Sequence, residues 1–277
     1  MTIKEILKKG INELEKNNIQ EPILQSKILL ASIIHESKEY LLIHDDDKLD
    51  NIVIEEFEKG INRLIQGEPI QYITGFKEFM GYRFLVNQNV LIPQPDTEIL
   101  VEEVLKLCKA KDKILDLCTG SGAIAIALSK LNKESKVYAS DISLEALKVA
   151  KENNKNLNTD VTFIQSDLFN NIEDKFDIIV SNPPYIETRT IETLSKQVQN
   201  EPKLALDGGE DGLKFYRKIV AEATNYLNQN GYLCLEIGYN QKDSVIQLIK
   251  QSNRYKEIYC KKDLAGNDRI IICRKEG

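Results

Sequence analysis

The residues with the clearest capacity for chemistry form one short motif, Asn182-Pro183-Pro184-Tyr185, directly after an apolar run. The two prolines have no N–H, so the segment leaves backbone carbonyls free to accept hydrogen bonds. Asn182 adds a side-chain carbonyl acceptor, and Tyr185 adds a flat aromatic face. Two acceptors can hold both protons of a planar –NH2 group and aim its nitrogen lone pair at an electrophile. The motif therefore predicts catalysis by positioning and electrostatics.

A second candidate site is a turn rich in small residues, from Asp116 to Gly122, between a predicted strand and a predicted helix. Small residues let a ligand approach the backbone, and a helix N-terminus offers free N–H groups to an anion. Asp141 stands at the end of the next predicted strand, where a carboxylate can accept hydrogen bonds from ribose hydroxyls. Together these features predict a nucleoside-containing cofactor at the carboxyl ends of the strands.

Two cofactors compete for this turn. The dinucleotide fingerprint G-x-G-x-x-G/A fits residues 120–125, so NAD passes that test. The spacing Asp-x-x-x-Gly-x-Gly over residues 116–122 instead resembles motif I of class I S-adenosylmethionine-dependent methyltransferases. The end of the chain favours the second reading, because two β-prone runs joined by a Gly/Asn turn must pair antiparallel, as the last strands of those enzymes do.

The elements that position these residues fall into three predicted regions. Residues 1–66 are predicted to be a helical domain, because apolar residues recur at spacings of three and four. In residues 67–95, glycine and proline interrupt short β-prone runs, which predicts a β-hairpin linker. From there to residue 277, strands alternate with helices and predict a doubly wound α/β domain over residues 96–277. Asp96 or Thr97 is expected to cap its first helix, which runs to about Cys108.

Composition excludes several classes of function. Among 277 residues there are 37 Lys plus Arg and 43 Asp plus Glu, a net charge of −6, so the chain has no global attraction to nucleic acid or anionic membranes. Five cysteines without a C-x-x-C pair, together with only two histidines, argue against a metal centre and a histidine-based triad. No apolar run has the length of a membrane span, and the first residues do not resemble a signal peptide. We expect a cytoplasmic protein without metal or membrane association.

Over nearly its whole length the chain resembles the release-factor N(5)-glutamine methyltransferases, the PrmC/HemK family. The segments that carry the resemblance are DLCTGSGAIAIAL, SNPPYI, PIQYITGFKEFMGYRF, VLIPQPDTEILVE, NEPKLALDGGEDGLKFYR and DLAGNDRIIICR. The resemblance implies a Rossmann-like class I methyltransferase fold with an antiparallel last strand, a small N-terminal helical substrate-recognition domain and a β-hairpin linker. It also implies methyl transfer from S-adenosyl-L-methionine to the glutamine side-chain amide of the Gly-Gly-Gln motif in class-1 peptide chain release factors.

The resemblance also assigns roles to the residues of both motifs. It implies that the methionine part of the cofactor is lined by Cys118, Thr119, Gly120, Ser121 and Gly122. Asp141 takes the ribose, Asp167 and Leu168 lie by the adenine, and Asn182 also borders the cofactor. The target amide is held by Asn182 and the Pro183 carbonyl, with Pro184 and Tyr185 completing the substrate site. Three positions depart from the family pattern: Cys118 replaces a common glycine, Gln94 a common arginine, and Leu168 an aromatic residue of some members.

Three other functions remain open on the sequence alone. A nucleic-acid amino-methyltransferase also uses this motif, but residues 1–90 hold 11 Lys plus Arg against 15 Asp plus Glu, which argues against a nucleic-acid-binding domain. A glutamine methyltransferase acting on a ribosomal protein shares much of the site. A catalytically idle nucleotide-binding module is opposed by the intact motif at residues 182–185. We expect a monomer that acts on release factors and not directly on nucleic acid.

Overall fold

A computed structural model describes residues 1–276, and these divide into two compact units. The first unit comprises Met1–Phe76 with Ser195–Asn200, and the second comprises Lys77–Leu194 and the chain from Glu201 onward. The division falls inside the predicted linker, so that residues 67–76 group with the helices and residues 77–95 with the sheet. In the described chain, no helix combines the length and the apolar character that crossing a membrane requires.

The first unit is built from helices that share one apolar core. They are α1 (Ile3–Lys16), α2 (Pro22–Ile33), α3 (Tyr40–Ile43), α4 (Asn51–Ile65) and α5 (Ile70–Thr74). α1 begins with a capping box, because the Thr2 hydroxyl accepts a hydrogen bond from the Glu5 N–H (3.2 Å) and the Glu5 carboxylate accepts one from the Thr2 N–H (2.9 Å). Ile6 and Leu14 of α1 are fully buried against Phe57 of α4.

The predicted hairpin is shorter than the range 67–95. α5 occupies part of that range, and the hairpin consists of β1 (Phe76–Phe79) and β2 (Tyr82–Leu85). The Phe79 and Phe84 rings meet edge to face with their centroids 6.0 Å apart, and both lie in the core of the second unit. The hairpin is therefore packed into the core of the second unit and does not form a free connection.

The second unit contains a seven-stranded sheet with the order β5-β4-β3-β6-β7-β9-β8. Its strands are β3 (Lys113–Leu117), β4 (Lys136–Asp141), β5 (Val161–Gln165), β6 (Phe176–Ser181), β7 (Leu227–Glu236), β8 (Tyr255–Lys262) and β9 (Asp268–Lys275). The pairs among β3 to β7 are parallel, and β9 runs antiparallel to both β7 and β8. This arrangement confirms the predicted fold class, including the antiparallel last strand.

Helices surround the sheet and the loops that follow its strands. They are α6 (Pro95–Leu107), α7 (Ala123–Leu131), α8 (Leu144–Asn156), α10 (Lys203–Leu206), α11 (Lys214–Tyr226) and α12 (Lys242–Gln251), with a 3-10 turn at Thr188–Thr193. The short helix α9 (Lys196–Gln199) lies in the Ser195–Asn200 segment of the first unit. Successive residues of β3, Ile114 and Leu115, belong to two separate apolar cores. The strands are apolar on both faces because both faces are covered, as in parallel sheets generally.

The start of α6 differs from the prediction. Neither Asp96 nor Thr97 caps this helix; Gln94 occupies the N-cap position without a side-chain hydrogen bond to the helix. Pro95 is the first helical residue, where its fixed φ suits a helix and its missing N–H costs nothing. Thr97 therefore lies in the first turn, and its side chain is available for contacts outside the helix.

Candidate active site

A cavity of about 360 Å³ lies at the carboxyl ends of the parallel strands, within the size range of small-molecule sites. Its lining includes seven of the residues predicted to form the site: Cys118, Gly120, Asp141, Asp167, Leu168, Asn182 and Pro184. The other five, Thr119, Ser121, Gly122, Pro183 and Tyr185, adjoin these residues in the chain and are outside the lining. The structure thus brings both motifs to one cavity.

The turn after β3 is shaped by a buried carboxyl group. The Asp116 Oδ2 atom accepts hydrogen bonds from the Thr119 hydroxyl (2.6 Å) and from the Ala125 N–H (3.2 Å). Complete burial raises the pKa of Asp116 to about 7, while these hydrogen bonds oppose the rise. Thr119 consequently stabilises the turn from inside. Gly120 has a φ of 55°, and a Cβ placed there would meet no atom within 4 Å, so its backbone is open to a ligand.

Cys118 adopts a left-handed backbone conformation with a φ of 60°. This conformation disfavours every residue with a Cβ, which is a physical reason for the glycine common at this position in the resembling family. Burial, aided by the nearby Asp141 charge, raises the pKa of the Cys118 thiol well above its ordinary value. The thiol therefore stays protonated at neutral pH and acts as a small apolar group beside the cavity.

Asp141 joins the turn to the next strand. Its Oδ2 atom accepts a hydrogen bond from the Gly120 N–H and its Oδ1 atom accepts one from the Ser143 N–H, both at 2.9 Å. Burial raises the pKa of Asp141, and the backbone hydrogen bonds oppose that rise. A carboxylate has about four lone-pair sites, so after these two contacts it still has acceptor capacity for hydroxyl groups in the cavity.

Other walls of the cavity come from segments whose sequence gave no such signal. They include Gln88 to Leu91, Ile142, Pro202, Leu204, Ala205, Lys214, Phe215 and Lys218. The buried Glu201 carboxylate connects two of these walls, because it accepts a hydrogen bond from the Ile92 N–H at 2.9 Å. Burial raises the pKa of Glu201 to about 7. From the sequence, a lid or structural brace and plain core packing were equally expected for the Glu201–Arg217 segment, and this contact favours the brace.

The Asn182–Tyr185 loop is held by side chains from distant parts of the chain. The Asn182 Nδ2 atom donates a hydrogen bond to the Thr97 hydroxyl (3.3 Å), and Gln241 Nε2 donates one to the Tyr185 carbonyl (2.9 Å). At Gly208, a Cβ would lie 2.7 Å from the Tyr185 Cα, so only glycine permits this close approach. The loop is therefore fixed from three sides.

The Tyr185 side chain is positioned by the last hairpin of the sheet. Burial raises the pKa of Tyr185, and the nearby positive charge of Arg269 opposes that rise. Arg269 is itself fixed by ion pairs of Nη2 with Asp263 (3.0 Å) and Asp96 (3.1 Å). Gln94 contributes no charge here; its amide donates to the Ile92 carbonyl at 2.9 Å.

Sequence reasoning missed three residues that contact this loop, Thr97, Gln241 and Arg269, and also the buried Glu236, which follows the strand residue paired with Ser181. One signal was available, since Glu236 ends an apolar strand as a charged residue and is only 2% exposed. Residues 1–276 contain no group of three or more His, Cys, Asp and Glu side chains arranged to hold a metal ion.

Two family models match the chain. One describes the PrmC N-terminal domain and matches residues 5–75, and the other describes a methyltransferase small domain and matches residues 94–210. The crystal structure of a methyltransferase from Pyrococcus furiosus has a TM-score of 0.57 and 21% identity, covering 78% of this chain and 98% of that one. At that identity the likeness shows the fold alone.

Two curated relatives extend the match over the full chain. The bifunctional methyltransferase of Rickettsia felis is 39% identical over 98% of this chain, which spans only 58% of that longer protein. The release factor glutamine methyltransferase of Fusobacterium nucleatum subsp. nucleatum is 40% identical, with 98% of this chain and 78% of that protein covered. These matches confirm the resemblance read from the sequence, and the chain belongs to the family of release factor glutamine methyltransferases.

Proposed function

We propose that this protein transfers a methyl group from S-adenosyl-L-methionine to the side-chain amide nitrogen of the glutamine in the Gly-Gly-Gln motif of class-1 peptide chain release factors. The observation that carries the proposal is the Asn182–Tyr185 loop at the edge of a cavity that also contains Asp141. Acceptors for an amide and a carboxylate for a ribose then border one space. Membership of the family supports the choice of substrate.

The residues of the cavity fit this cofactor. Gly120 leaves its backbone open, and the Asp141 carboxylate retains acceptor capacity for the two ribose hydroxyls. Residues 118–122 would hold the methionine part, while Asp167 and Leu168 would lie against the adenine. When bound, S-adenosylmethionine supplies an electrophilic methyl group on a positively charged sulfur.

The loop would hold the substrate amide for attack. The Asn182 Oδ1 atom and the Pro183 carbonyl accept its two N–H groups, and the Tyr185 ring packs on its plane. An amide nitrogen is a poor nucleophile because its lone pair is delocalised, and acceptors on its protons raise its electron density. The nitrogen–methyl bond forms as the sulfur–methyl bond breaks, and the nitrogen then releases one proton to water. No general base is needed before transfer, because the proton becomes strongly acidic only afterwards.

The first unit is proposed to recognise the release factor. It exposes large apolar side chains that its own core does not use, among them Leu42 (64% exposed), Ile43 (77%) and Ile52 (72%). Exposed apolar side chains of this kind are typical of protein-binding surfaces.

The residues proposed to hold the cofactor and those proposed to hold the substrate amide come from one chain, so a monomer is sufficient for the reaction. A release factor substrate places the reaction in the cytoplasm.

The test is mass spectrometry of the Gly-Gly-Gln peptide after an unmethylated release factor is incubated with the purified protein and S-adenosylmethionine. We expect one added methyl group on the glutamine, and none with the Asn182→Ala variant as a matched control. If calorimetry detects cofactor binding but the glutamine gains no methyl group, the substrate assignment is wrong. Transfer to a ribosomal-protein glutamine or to a nucleobase amine would then identify which rival function is correct.

A further inference from the structure

We propose that Asn153, a residue of α8 outside both motifs, is a positioning residue that holds the turn after β3 and a second wall of the cavity in place for the cofactor. The inference rests on the proposed function, because the cofactor that it concerns is S-adenosylmethionine. Asn153 is 1% exposed and is outside the lining of the cavity. It therefore acts on the cavity through the residues that it binds.

Three hydrogen bonds to backbone groups fix the Asn153 side chain. Its Oδ1 atom accepts a hydrogen bond from the Leu85 N–H at 2.6 Å. Its Nδ2 atom donates to the Leu85 carbonyl at 3.0 Å and to the Ser121 carbonyl at 2.9 Å. A backbone N–H only donates and a backbone carbonyl only accepts, so these partners define the orientation of the amide. A rotation of about 180° would set its oxygen against two carbonyls, which is costly in a buried site.

At its Ser121 end, Asn153 fixes a peptide group of the turn after β3. The Ser121 carbonyl and the Gly122 N–H belong to one planar peptide unit, so holding the carbonyl also sets the direction of that N–H. The Gly122 N–H donates to the Thr119 carbonyl at 2.9 Å and closes the turn. α8 also packs directly against the turn, since a Cβ placed at Gly122 would lie 3.1 Å from the Ala150 Cβ, which is on the same face of α8 as Asn153. The turn proposed to hold the methionine part is therefore supported by α8.

At its Leu85 end, Asn153 fixes the chain that leads to another wall of the cavity. Leu85 is the last residue of β2, and Asn153 binds both its N–H and its carbonyl, as a neighbouring strand would. Val86, the next residue, is only 3% exposed, and Gln88 to Leu91 then line the cavity. One side chain thus joins two walls that α6 and β3 separate in the sequence.

The place of α8 in the fold does not depend on Asn153 alone. The helix also buries four apolar side chains: Ala146, Leu147, Val149 and Ala150. The hydrogen bonds of Asn153 add the exact position of the turn and of the wall after β2. A ligand that contacts both walls binds tightly only when they are already in the right arrangement, because otherwise part of the binding free energy is used to order them. The loss of Asn153 should therefore weaken cofactor binding.

The experiment measures the Kd for S-adenosylmethionine by calorimetry, at a temperature well below the Tm of each variant. Asn153→Ala removes all three hydrogen bonds, and Asn153→Asp keeps the size and one acceptor but loses both donations. We expect the Kd to rise about tenfold in Asn153→Ala and at least as much in Asn153→Asp, whose carboxylate would face two carbonyls. Asn156→Ala, at an exposed position of the same helix, is the matched control and should leave the Kd unchanged.

Kinetics separate positioning from a merely structural role. In Asn153→Ala, the KM for S-adenosylmethionine should rise with the Kd, while kcat at saturating cofactor stays within about threefold because the Asn182–Tyr185 loop is untouched. A merely structural role would lower Tm and leave the Kd and the KM of the folded protein unchanged. A Kd in Asn153→Ala within twofold of the wild-type value would overturn the positioning role.

A second measurement uses only the wild-type protein and decides the question even if the variants do not fold. Binding is reciprocal, so a cofactor that needs the Asn153 contacts must also stabilise them. In NMR spectra of the 15N-labelled protein, saturation with S-adenosylmethionine should slow solvent exchange of the Asn153 side-chain NH2 group and of the Leu85 N–H. Unchanged exchange at both groups would overturn the positioning role. Absence of release-factor methylation by the wild-type protein, together with the expected slowing, would overturn the proposed function and leave the role of Asn153 intact.

Discussion

The proposed site has two halves, which are held in place by different kinds of contact. The cofactor half is the turn after β3 with Asp141, and the amide half is the Asn182–Tyr185 loop. The turn after β3 and Asp141 are held by contacts over shorter sequence distances: Asp116 binds groups 3 and 9 residues ahead, and Asp141 binds Ser143 2 residues ahead and Gly120 21 residues before it. The Asn182–Tyr185 loop is held by Thr97, 85 residues before it, and by Gln241, 56 residues after Tyr185. The half that would bind the cofactor is held within the segment from β3 to α8, whereas the half that would bind the substrate amide depends on elements from most of the sheet.

The difference implies that the two halves can be damaged separately. A local turn keeps its shape as long as its own residues are intact. The amide half requires α6, β7 and the last hairpin to be in place together. We therefore expect substitutions to separate cofactor affinity from methyl transfer, and the following experiments measure how complete that separation is.

The largest effect is expected for Asn182→Ala. It removes an acceptor used by the substrate amide, so methyl transfer should fall by at least about 100-fold, the scale of losing one transition-state hydrogen bond. Cofactor affinity, measured by calorimetry, should remain within a few-fold because Asp141 and the turn are untouched. A large loss of that affinity would show that the two halves are not independent.

A smaller effect, on the affinity for the cofactor, is expected for Asp141→Ala in the cofactor half of the site. The substitution removes the carboxylate proposed to hold the ribose, so S-adenosylmethionine binding should weaken by about 1–3 kcal/mol. The hydrogen bonds to the Gly120 and Ser143 N–H groups are lost as well. Calorimetry on Asp141→Asn, which keeps one acceptor oxygen, provides the control and should give an intermediate affinity. An unchanged affinity in Asp141→Ala would contradict the ribose assignment.

Each half contains a buried carboxyl that makes stability depend on pH. The pKa values of Asp116 and Glu236, and of Glu201 outside both motifs, are raised to about 7. A raised carboxyl pKa means that the folded protein binds more protons than the unfolded chain between about pH 4 and 7. Stability from these groups is therefore fully present below about pH 4 and is lost as pH rises from there through 7.

Thermal unfolding monitored by circular dichroism checks this sign. We expect Tm to be several °C higher at pH 5.5 than at pH 8, since a pKa shift of one unit corresponds to about 1.4 kcal/mol. Asp211, whose pKa is lowered to about 2, changes the stability only at a lower pH than this range. Glu201→Gln keeps an acceptor for the Ile92 N–H and should flatten the dependence. A Tm that rises from pH 5.5 to 8 would contradict the prediction.

The smallest effect concerns the strained residue of the turn. Because Cys118 has a φ of 60°, glycine suits its backbone and alanine does not. The Cys118→Gly variant should be more stable than Cys118→Ala by about 1 kcal/mol in urea unfolding, with cofactor affinity similar in both. Equal stabilities would mean that the turn relaxes when the thiol is removed, and that the cofactor half is less rigid than its local contacts suggest.

The sequence predicted the parts of the fold that depend on local pattern. The α/β alternation, the antiparallel end of the sheet and the position of both motifs at one edge all follow from periodicity and turn residues. The resemblance to a family supplied the substrate, which no pattern could provide. The cap of α6 was predicted wrongly, because the Thr97 side chain forms a hydrogen bond with Asn182 instead of the helix.

The residues around Asn182 could not be predicted for a physical reason. Thr97, Gln241 and Arg269 have ordinary sequence surroundings, and their roles appear only where separate strands and helices meet. Glu236 could have been singled out because it is a charged residue at the end of an apolar strand. No comparable feature of the sequence marks Thr97, Gln241 or Arg269. The contact of Glu201 with Ile92, 109 residues away, was equally unpredictable because it too joins distant parts of the chain.

The antiparallel direction of β9 has a consequence for synthesis of the chain. Because β9 runs opposite to β7, Arg269 at its beginning reaches the same edge as Glu236 at the end of β7, in a register that pairs Glu236 with Ile270. A ribosome releases the turn after β3, Asp141 and the motif itself long before it adds Arg269. A nascent chain can therefore shape its cofactor half early, while Tyr185 comes under the positive charge of Arg269 only after β9 has been made. The proposed amide site is thus complete only when the hairpin of β8 and β9 has closed.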